Sequence, residues 1–312
     1  MKITDAIQEF ILYKQSLGMS YRGQALRLNA FARQTGPVEI DSIGPEVVRR
    51  YLDGERPITA EWAEKHSTLK TFFRFARARG YATRNPLPLS CPKYPRHFQP
   101  YIYSVEEVQR MLRTVDGRHR GQWHLEPYTV RTLLLLLYGT GLRISEAIHL
   151  RHRDVDLDAM ILTIRETKFY KSRLVPVGED LAAVLRCYFQ RKWNCSKSGS
   201  DAPFLATYDG RPVTRLVAEA AFKRIRYEAN VKRTDGFHFQ PRLHDFRHTF
   251  AVRRLVSWYR EGKNVQRLLP HLATYLGHVG IRETARYLSM TKELLHEAGH
   301  RFEQYAAPGG ER

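Results

Sequence analysis

Five prolines, Pro86, Pro88, Pro92, Pro95 and Pro100, crowd the stretch between Asn85 and Tyr103. Proline removes a backbone donor and pushes the preceding residue out of helical geometry. Neither a helix nor a central strand therefore runs through this segment. The chain is expected to divide here, into a first domain over residues 1–90, a proline-rich linker over 91–103 and a second domain over 104–312. A length of 312 residues fits two domains of ordinary size.

The first domain reads as helices. Ile3, Ile7, Phe10, Ile11 and Leu17 form an apolar stripe at helical spacing that ends at Gly18. Ser20 is placed to cap a second helix through Leu26, Leu28 and Phe31, which stops near Gly36. Gly44-Pro45 opens a short third helix with Val47, Val48 and Tyr51. Thr59 is placed to cap a fourth, carrying Trp62, Leu69, Phe72, Phe73 and Phe75 as far as Gly80. In the second domain, Ser104 followed three residues later by Glu107 has the form of a capping box, so a helix is expected from about Val105. Residues 161–164 and 173–177 are short and β-prone, flank 166–172, and are expected to form a hairpin or a small sheet edge. Further helices are expected over 181–193, 213–229 and 244–259, and again after Thr291. The expected fold class is mainly α with a small antiparallel β-sheet.

Charge narrows the partners. Lys and Arg number 51 against 32 Asp and Glu, a net charge of +19. The first 95 residues hold 15 basic and nine acidic side chains, and the remainder 36 and 23, so both parts are basic. Basic faces bind phosphates and release counterions, which makes a nucleic acid the expected partner, although charge by itself also suits a generally basic cytosolic protein. No apolar run approaches the ~18 residues that span a bilayer. The longest, Leu133 to Leu137, is a short buried stretch. The N-terminus lacks the charged-then-apolar pattern of a signal peptide. Cys91, Cys187 and Cys195 are scattered and contain no CxxC pair, as reduced thiols would be. A cytoplasmic protein with no membrane partner is expected.

Three strings carry chemistry. In Gly139-Thr-Gly-Leu-Arg-Ile-Ser-Glu-Ala147, an apolar helix runs into two glycines and Arg143 opens the next helix. Its guanidinium can fork onto two phosphate oxygens. In Pro241-Arg-Leu-His-Asp-Phe-Arg-His248, His244 and Arg247 lie three apart on one helix face. Histidine moves protons near neutral pH, whereas arginine is a fixed cation. His244 and His248 also have the spacing of two zinc ligands, which would need a third ligand and usually a Glu between them. In Tyr275-Leu-Gly-His278, Tyr287 follows nine residues after His278. Tyrosine is common in this chain, and a phenol with a pKa of ~10 must be activated by its site. Tyr259, Tyr275 and Tyr305 are nearby competitors.

Taken in order, these strings resemble the tyrosine recombinase (phage integrase) family. The first is similar to the family's arginine box, the second to its His-x-x-Arg-His box and the third to its final box. The resemblance implies that Arg143 and Arg247 bind the scissile phosphate, His244 is the general acid/base and His278 contacts the phosphate. It makes Tyr287 the nucleophile. Glu146 and His248 match positions with structural roles. The segment Thr167-Lys-Phe-Tyr-Lys-Ser-Arg-Leu-Val-Pro176 resembles the hairpin that carries the family's catalytic lysine, placing Lys168 in that role with Lys171 as the alternative. Phe169 and Tyr170 stand where many relatives have glycine.

The resemblance implies a helical core-binding domain followed by a mixed α/β catalytic domain. It further implies cleavage and rejoining of DNA through a 3′-phosphotyrosine without metal, ATP or any cofactor. The implied partners are double-stranded DNA bearing a recombination site, a homotetramer on that DNA, and accessory proteins. Integration or excision of a mobile element is the implied biological role. A type IB topoisomerase and a DNA-binding protein with an inactive site are the rival readings. The helix after Tyr287, with Leu294, Leu295, Phe302 and Tyr305, suits docking on a neighbouring protomer or on its own chain.

Overall fold

In a computed structural model, residues 1–54, 60–89, 92, 99–118, 125–165, 172–193, 199–237, 239–289 and 294–299 are described. The chain divides into two compact units, one formed by Met1–His97 and the other by Phe98–Thr167 with Ser172–Arg312.

The first unit is helical. Its helices are α1 (Ile3–Ser16), α2 (Arg22–Thr35), α3 (Pro45–Asp53) and α4 (Ala60–Ala78). The apolar stripe of α1 turns Ile3, Ala6, Ile7, Phe10 and Ile11 inward against Phe31, Phe72 and Phe73. Polar atoms inside this core are matched. The Trp62 indole donates to Asp53 at 2.8 Å and the Tyr51 hydroxyl to the Arg27 carbonyl at 2.7 Å. Helix α2 does not start from a Ser20 cap. Tyr21 precedes it in a left-handed conformation, with φ 46°, and packs its ring edge-on against Phe10. Burial of that ring sets the start of the helix, overriding the preference for a serine cap. The expected cap at Thr59 lies outside the described residues.

The second unit opens with α5 (Val105–Asp116), and the capping box is present. Glu107 N donates to the Ser104 hydroxyl at 3.2 Å, and Ser104 N to the Glu107 carboxylate at 3.0 Å. Tyr103, just before it, is buried. It stacks on Phe246, donates its hydroxyl to the Arg242 carbonyl and donates its backbone N–H to the Thr249 hydroxyl. The last residues of the proline-rich stretch thus belong to the core of this unit. Helix α6 (Pro127–Thr140) buries Val130, Leu133, Leu134, Leu136 and Leu137. A helix apolar on so much of its circumference must sit centrally, and α6 packs against α5, α8 and α10.

After α7 (Ile144–Ile148) come β1 (Val155–Asp156), β2 (Ile161–Ile164) and β3 (Arg173–Pro176), a three-stranded antiparallel sheet in the order 1-2-3. Ile161 pairs with Pro176 and Ile164 with Arg173. Strand alternation buries Leu162, Ile164 and Val175. Then follow α8 (Glu179–Trp193), α9 (Arg215–Glu228), α10 (Asp245–Arg260), α11 (Val265–Leu276) and α12 (Ile281–Ala285), with a 3-10 turn over Arg286–Ser289. The fold is therefore mainly α with a small antiparallel sheet. Sequence spacing did not disclose α11, which carries Pro270 in its interior. Past the turn, Leu294 is fully buried among Val256, Leu269 and Leu272 of the same chain, and Glu297 pairs with Arg260 at 2.9 Å. The start of the C-terminal helix thus packs on its own chain, while Phe302 and Tyr305 lie outside the described residues.

Gly141 closes α6 at φ +62°, and an added Cβ would sit 2.6 Å from a Phe250 ring carbon. Both the backbone and the ring oppose any side chain there. Gly141→Ala is expected to destabilise the second unit by about 1–3 kcal/mol. Urea unfolding checks this, and an unchanged midpoint would mean that neither constraint acts.

Candidate active site

The site is built around the C-terminal end of α11. A helix leaves its last carbonyls without intrahelical partners. Here three successive carbonyls each accept from a different arginine. Arg173 Nε donates to Tyr275 O at 2.8 Å, Arg247 Nη2 to Leu276 O at 2.6 Å, and Arg143 Nη2 to Gly277 O at 3.0 Å. Gly277 ends the helix in the left-handed conformation, φ +69°. A Cβ on it would meet the Arg173 guanidinium at 2.7 Å. The Leu-Gly-His string is therefore a helix stop that exposes carbonyls to guanidinium groups.

Each arginine is held a second time. Arg247, on α10, is only 2% exposed and also donates through Nη1 to Gly141 O at 2.9 Å. Arg143, just before α7, donates through Nη1 to Glu146 at 2.9 Å, and its backbone N–H donates to the same carboxylate. Arg173, on β3, forks onto Glu146 with bonds of 3.0 and 2.8 Å. Burial works to raise the Glu146 carboxyl. The hydrogen bonds and charge of Arg173, then those of Arg143, overcome it and hold the group below the usual carboxylate range. Burial, with Arg143 next, lowers Arg247 to about 10, which leaves it charged at neutral pH.

The other expected residues converge here. His278 follows Gly277, and its Nδ1 pairs with the Thr284 hydroxyl at 2.6 Å, which leaves Nε2 for a ligand. Tyr287 is 3% exposed and faces two imidazoles, its ring 6.1 Å from that of His278 and 5.6 Å from that of His248. His244, directly before α10, lies 5.0 Å from His248 edge to face. Burial raises the Tyr287 phenol above its ordinary value, while the charge and hydrogen bond of Arg247, and the charge of Arg143, pull it back. Desolvation followed by Arg247 lowers His244, although its outer edge meets solvent. Burial, then the cations, lowers His278 to about 4. Burial, then His244 and the arginines, lowers His248 to about 3. His278 and His248 are therefore neutral at pH 7, and His244 is shifted in the same direction.

Arg143, His244, Arg247, His278 and Tyr287 thus lie together. Lys168 and Lys171 lie outside the described residues, in the connection between β2 and β3. Tyr275 is engaged elsewhere. Its ring stacks on Phe250 and its hydroxyl donates to Pro176 O. Burial pushes it up to about 12. Among the described residues, no three His, Cys, Asp or Glu side chains converge, so His244 and His248 lack a third ligand there. Sequence reasoning missed Arg173 and Thr284. Arg173 stood in the strand pattern Arg-x-Val-Pro, but nothing local pointed to partners on α7 and α11.

Comparisons with known proteins identify the family of the chain. Residues 103–293 match the phage integrase family. A Sinorhizobium fredii (strain NBRC 101917 / NGR234) protein that carries the name integrase/recombinase y4rB is 35% identical over 306 residues, 96% of each chain. The tyrosine recombinase XerD of Staphylococcus aureus (strain N315) is 30% identical over 239 residues, covering 76% of this chain and 74% of XerD. Among solved structures, the Tn1549 transposon integrase in complex with transposon right end DNA matches with a TM-score of 0.72 at 19% identity, covering 98% of this chain and all of that one. A lambda integrase from a tetramer bound to a Holliday junction matches with a TM-score of 0.65 at 15% identity, over 92% of this chain and 77% of that one. The chain belongs to the phage integrase family, the tyrosine recombinases. It is an enzyme of DNA recombination.

The depressed histidines make stability depend on pH. An unfolded histidine titrates near 6.5 and folded His278 near 4, so between these values the unfolded chain binds the extra proton. This contribution is fully present above pH 6.5 and is lost as pH falls towards 4. The urea midpoint is expected to drop between pH 7 and 4.5, and to drop less steeply in His278→Asn. Equal slopes for the two proteins would mean that His278 is not held neutral.

Proposed function

We propose that this protein cuts and rejoins DNA at a specific site through a 3′-phosphotyrosine on Tyr287. The observation that carries the reading is the convergence of Arg143, Arg247, His244, His278 and Tyr287 on the end of one helix. Each guanidinium has five N–H donors. The carbonyls and Glu146 hold Arg143 and Arg247 from behind, and N–H groups remain for phosphate oxygens. Arg143, with its side chain 36% exposed, is the cation that meets DNA first. Donors fixed in advance where charge develops are worth about 3–4 kcal/mol each in a transition state.

In the proposed step the Tyr287 oxygen attacks the scissile phosphorus. A phosphotyrosyl bond forms, the bond from phosphorus to the 5′ oxygen breaks, and a 5′-hydroxyl is released. Arg143 and Arg247 brace the two non-bridging oxygens, and His278 donates through Nε2. His244 takes the phenol proton, and Lys168, with Lys171 the alternative, protonates the leaving oxygen. The new ester conserves the energy of the old one. A 5′-hydroxyl of the same or another duplex reverses the step, so neither ATP nor a metal enters.

Residues 1–90 would act as a core-binding clamp and residues 104–312 as the catalytic domain, with residues 91–103 as a strap whose last residue, Tyr103, is anchored in the catalytic core; duplex DNA would be held mainly through phosphate contacts. Exchange between two duplexes needs four such sites, hence a tetramer on DNA, the assembly named for lambda integrase. Movement of a mobile element is the proposed biological role, exercised on DNA inside the cell. No helix among the described residues is long and apolar enough to cross a membrane.

The test incubates wild type and Tyr287→Phe with a library of nicked duplexes of randomised sequence, in EDTA and without ATP. Adducts that survive denaturation are recovered and their DNA is sequenced. The expected result is an adduct with wild type alone, enriched for one sequence. Arg143→Ala and Arg247→Ala should each slow its formation by about 10²–10³-fold. An adduct from Tyr287→Phe would move the nucleophile. Adducts without sequence preference would favour relaxation in the manner of a topoisomerase. Binding without any adduct would favour an inactive DNA-binding protein.

A further inference from the structure

We propose that Arg173 is a positioning residue for strand cleavage, aiming Arg143 at the scissile phosphate without touching the DNA itself. The inference rests on the strand-transfer reading above. Arg173 is turned inward, its side chain 11% exposed. Two of its donors fork onto Glu146 and a third caps Tyr275 O.

Arg143 has two side-chain anchors, the Glu146 carboxylate and the Gly277 carbonyl. Arg173 holds both. Its fork fixes the plane of the Glu146 carboxylate, whose Oε1 accepts from both arginines. Its bond to Tyr275 O, and the packing of its guanidinium where a Gly277 side chain would be, fix the helix end that presents Gly277 O.

Charge points the same way. Glu146 is buried, and in a buried setting a lone carboxylate binds its cation tightly. Shared between two guanidinium groups, it leaves a net positive charge beside the phosphate path. Without Arg173, Glu146 would have Arg143 as its sole cationic partner among these contacts and would hold it back from the phosphate. A lysine at 173 keeps the charge but cannot form three bonds in a fixed fork. Arg173→Lys therefore separates geometry from charge.

The experiment measures single-turnover adduct formation on the duplex selected by the library. The scissile position carries either an ordinary phosphate or a methylphosphonate, which has lost the negative charge that Arg143 meets. On phosphate, Arg173→Lys should be slowed by about 10–10²-fold, the cost of a small misplacement, with DNA affinity within about twofold of wild type. Combined with Arg143→Ala, it should add no further loss. On methylphosphonate, its deficit relative to wild type should largely close. Should Arg173→Lys fail to fold, Glu146→Gln loosens the same link from the other side and should show the same dependence on phosphate charge. Equal slowing on both substrates, a further loss in the double variant, or a wild-type rate overturns the proposal. A wild-type protein that forms no adduct on any duplex instead removes the strand-transfer reading, and the proposal with it.

Discussion

Three arginines on three successive carbonyls at the end of α11 are the contact on which the rest of the catalytic unit depends. A helix end carries both unsatisfied acceptors and partial negative charge. A buried guanidinium needs acceptors and a compensating charge. Each liability answers the other. Arg247, 2% exposed, would be costly to bury without the Leu276 and Gly141 carbonyls. The bonds also cross long stretches of chain, 102 residues for Arg173 to Tyr275 and 134 for Arg143 to Gly277. One cluster of hydrogen bonds thereby ties β3, α10 and the start of α7 to a single point.

This arrangement sets the electrostatic character of the site. The cations gather where Glu146 is the carboxylate that opposes them, and their charge adds to the larger effect of burial on the nearby imidazoles. His278, His248 and His244 are all lowered, and Tyr287 is raised by burial against the pull of Arg247. Arg143, Arg173 and Arg247 against the one carboxylate of Glu146 leave a net positive charge that a further anion would balance. Under the proposed reading, a scissile phosphate supplies it, and negative charge raises a nearby imidazole towards the range in which it can exchange protons. Under that reading the bound phosphate would offset the lowering of the imidazoles, and the substrate itself would complete the acid–base pair.

Much of the architecture was legible in the sequence because its signals are local. The apolar spacing of α1, Pro45 at the head of α3 and the Ser104–Glu107 capping box are of this kind, and the structure follows them. The misses have physical causes too. Helix α11 contains Pro270, which reads as a breaker. At the sixth position of the helix, however, proline forfeits one hydrogen bond, to the Gln266 carbonyl, and Leu269, Leu272 and Leu276 still bury one face. Strand β1 has two residues, too few for an alternating pattern. The start of α2 was decided by the ring of Tyr21 against Phe10, a contact that no local window contains. Arg143, Arg247, His278 and Tyr287 were legible as strings at fixed spacing, whereas the partners of Arg173 were not, because they lie in other elements.

The strings themselves follow from the same contacts. Gly141 of the first string gives its carbonyl to Arg247 of the second, and Gly277 of the third gives its carbonyl to Arg143 of the first. Each glycine sits in the left-handed region with no room for a side chain, against Phe250 in one case and Arg173 in the other. A glycine and an arginine two positions apart, as in Gly141-Leu-Arg143, therefore serve two different partners. The glycine bends the chain so that its carbonyl meets a distant arginine, and the arginine reaches back to a distant glycine. Separated along the chain, the three strings interlock in space. A lone arginine carries little information, and an arginine in the full string carries much, because the string records the turn that makes the interlock possible.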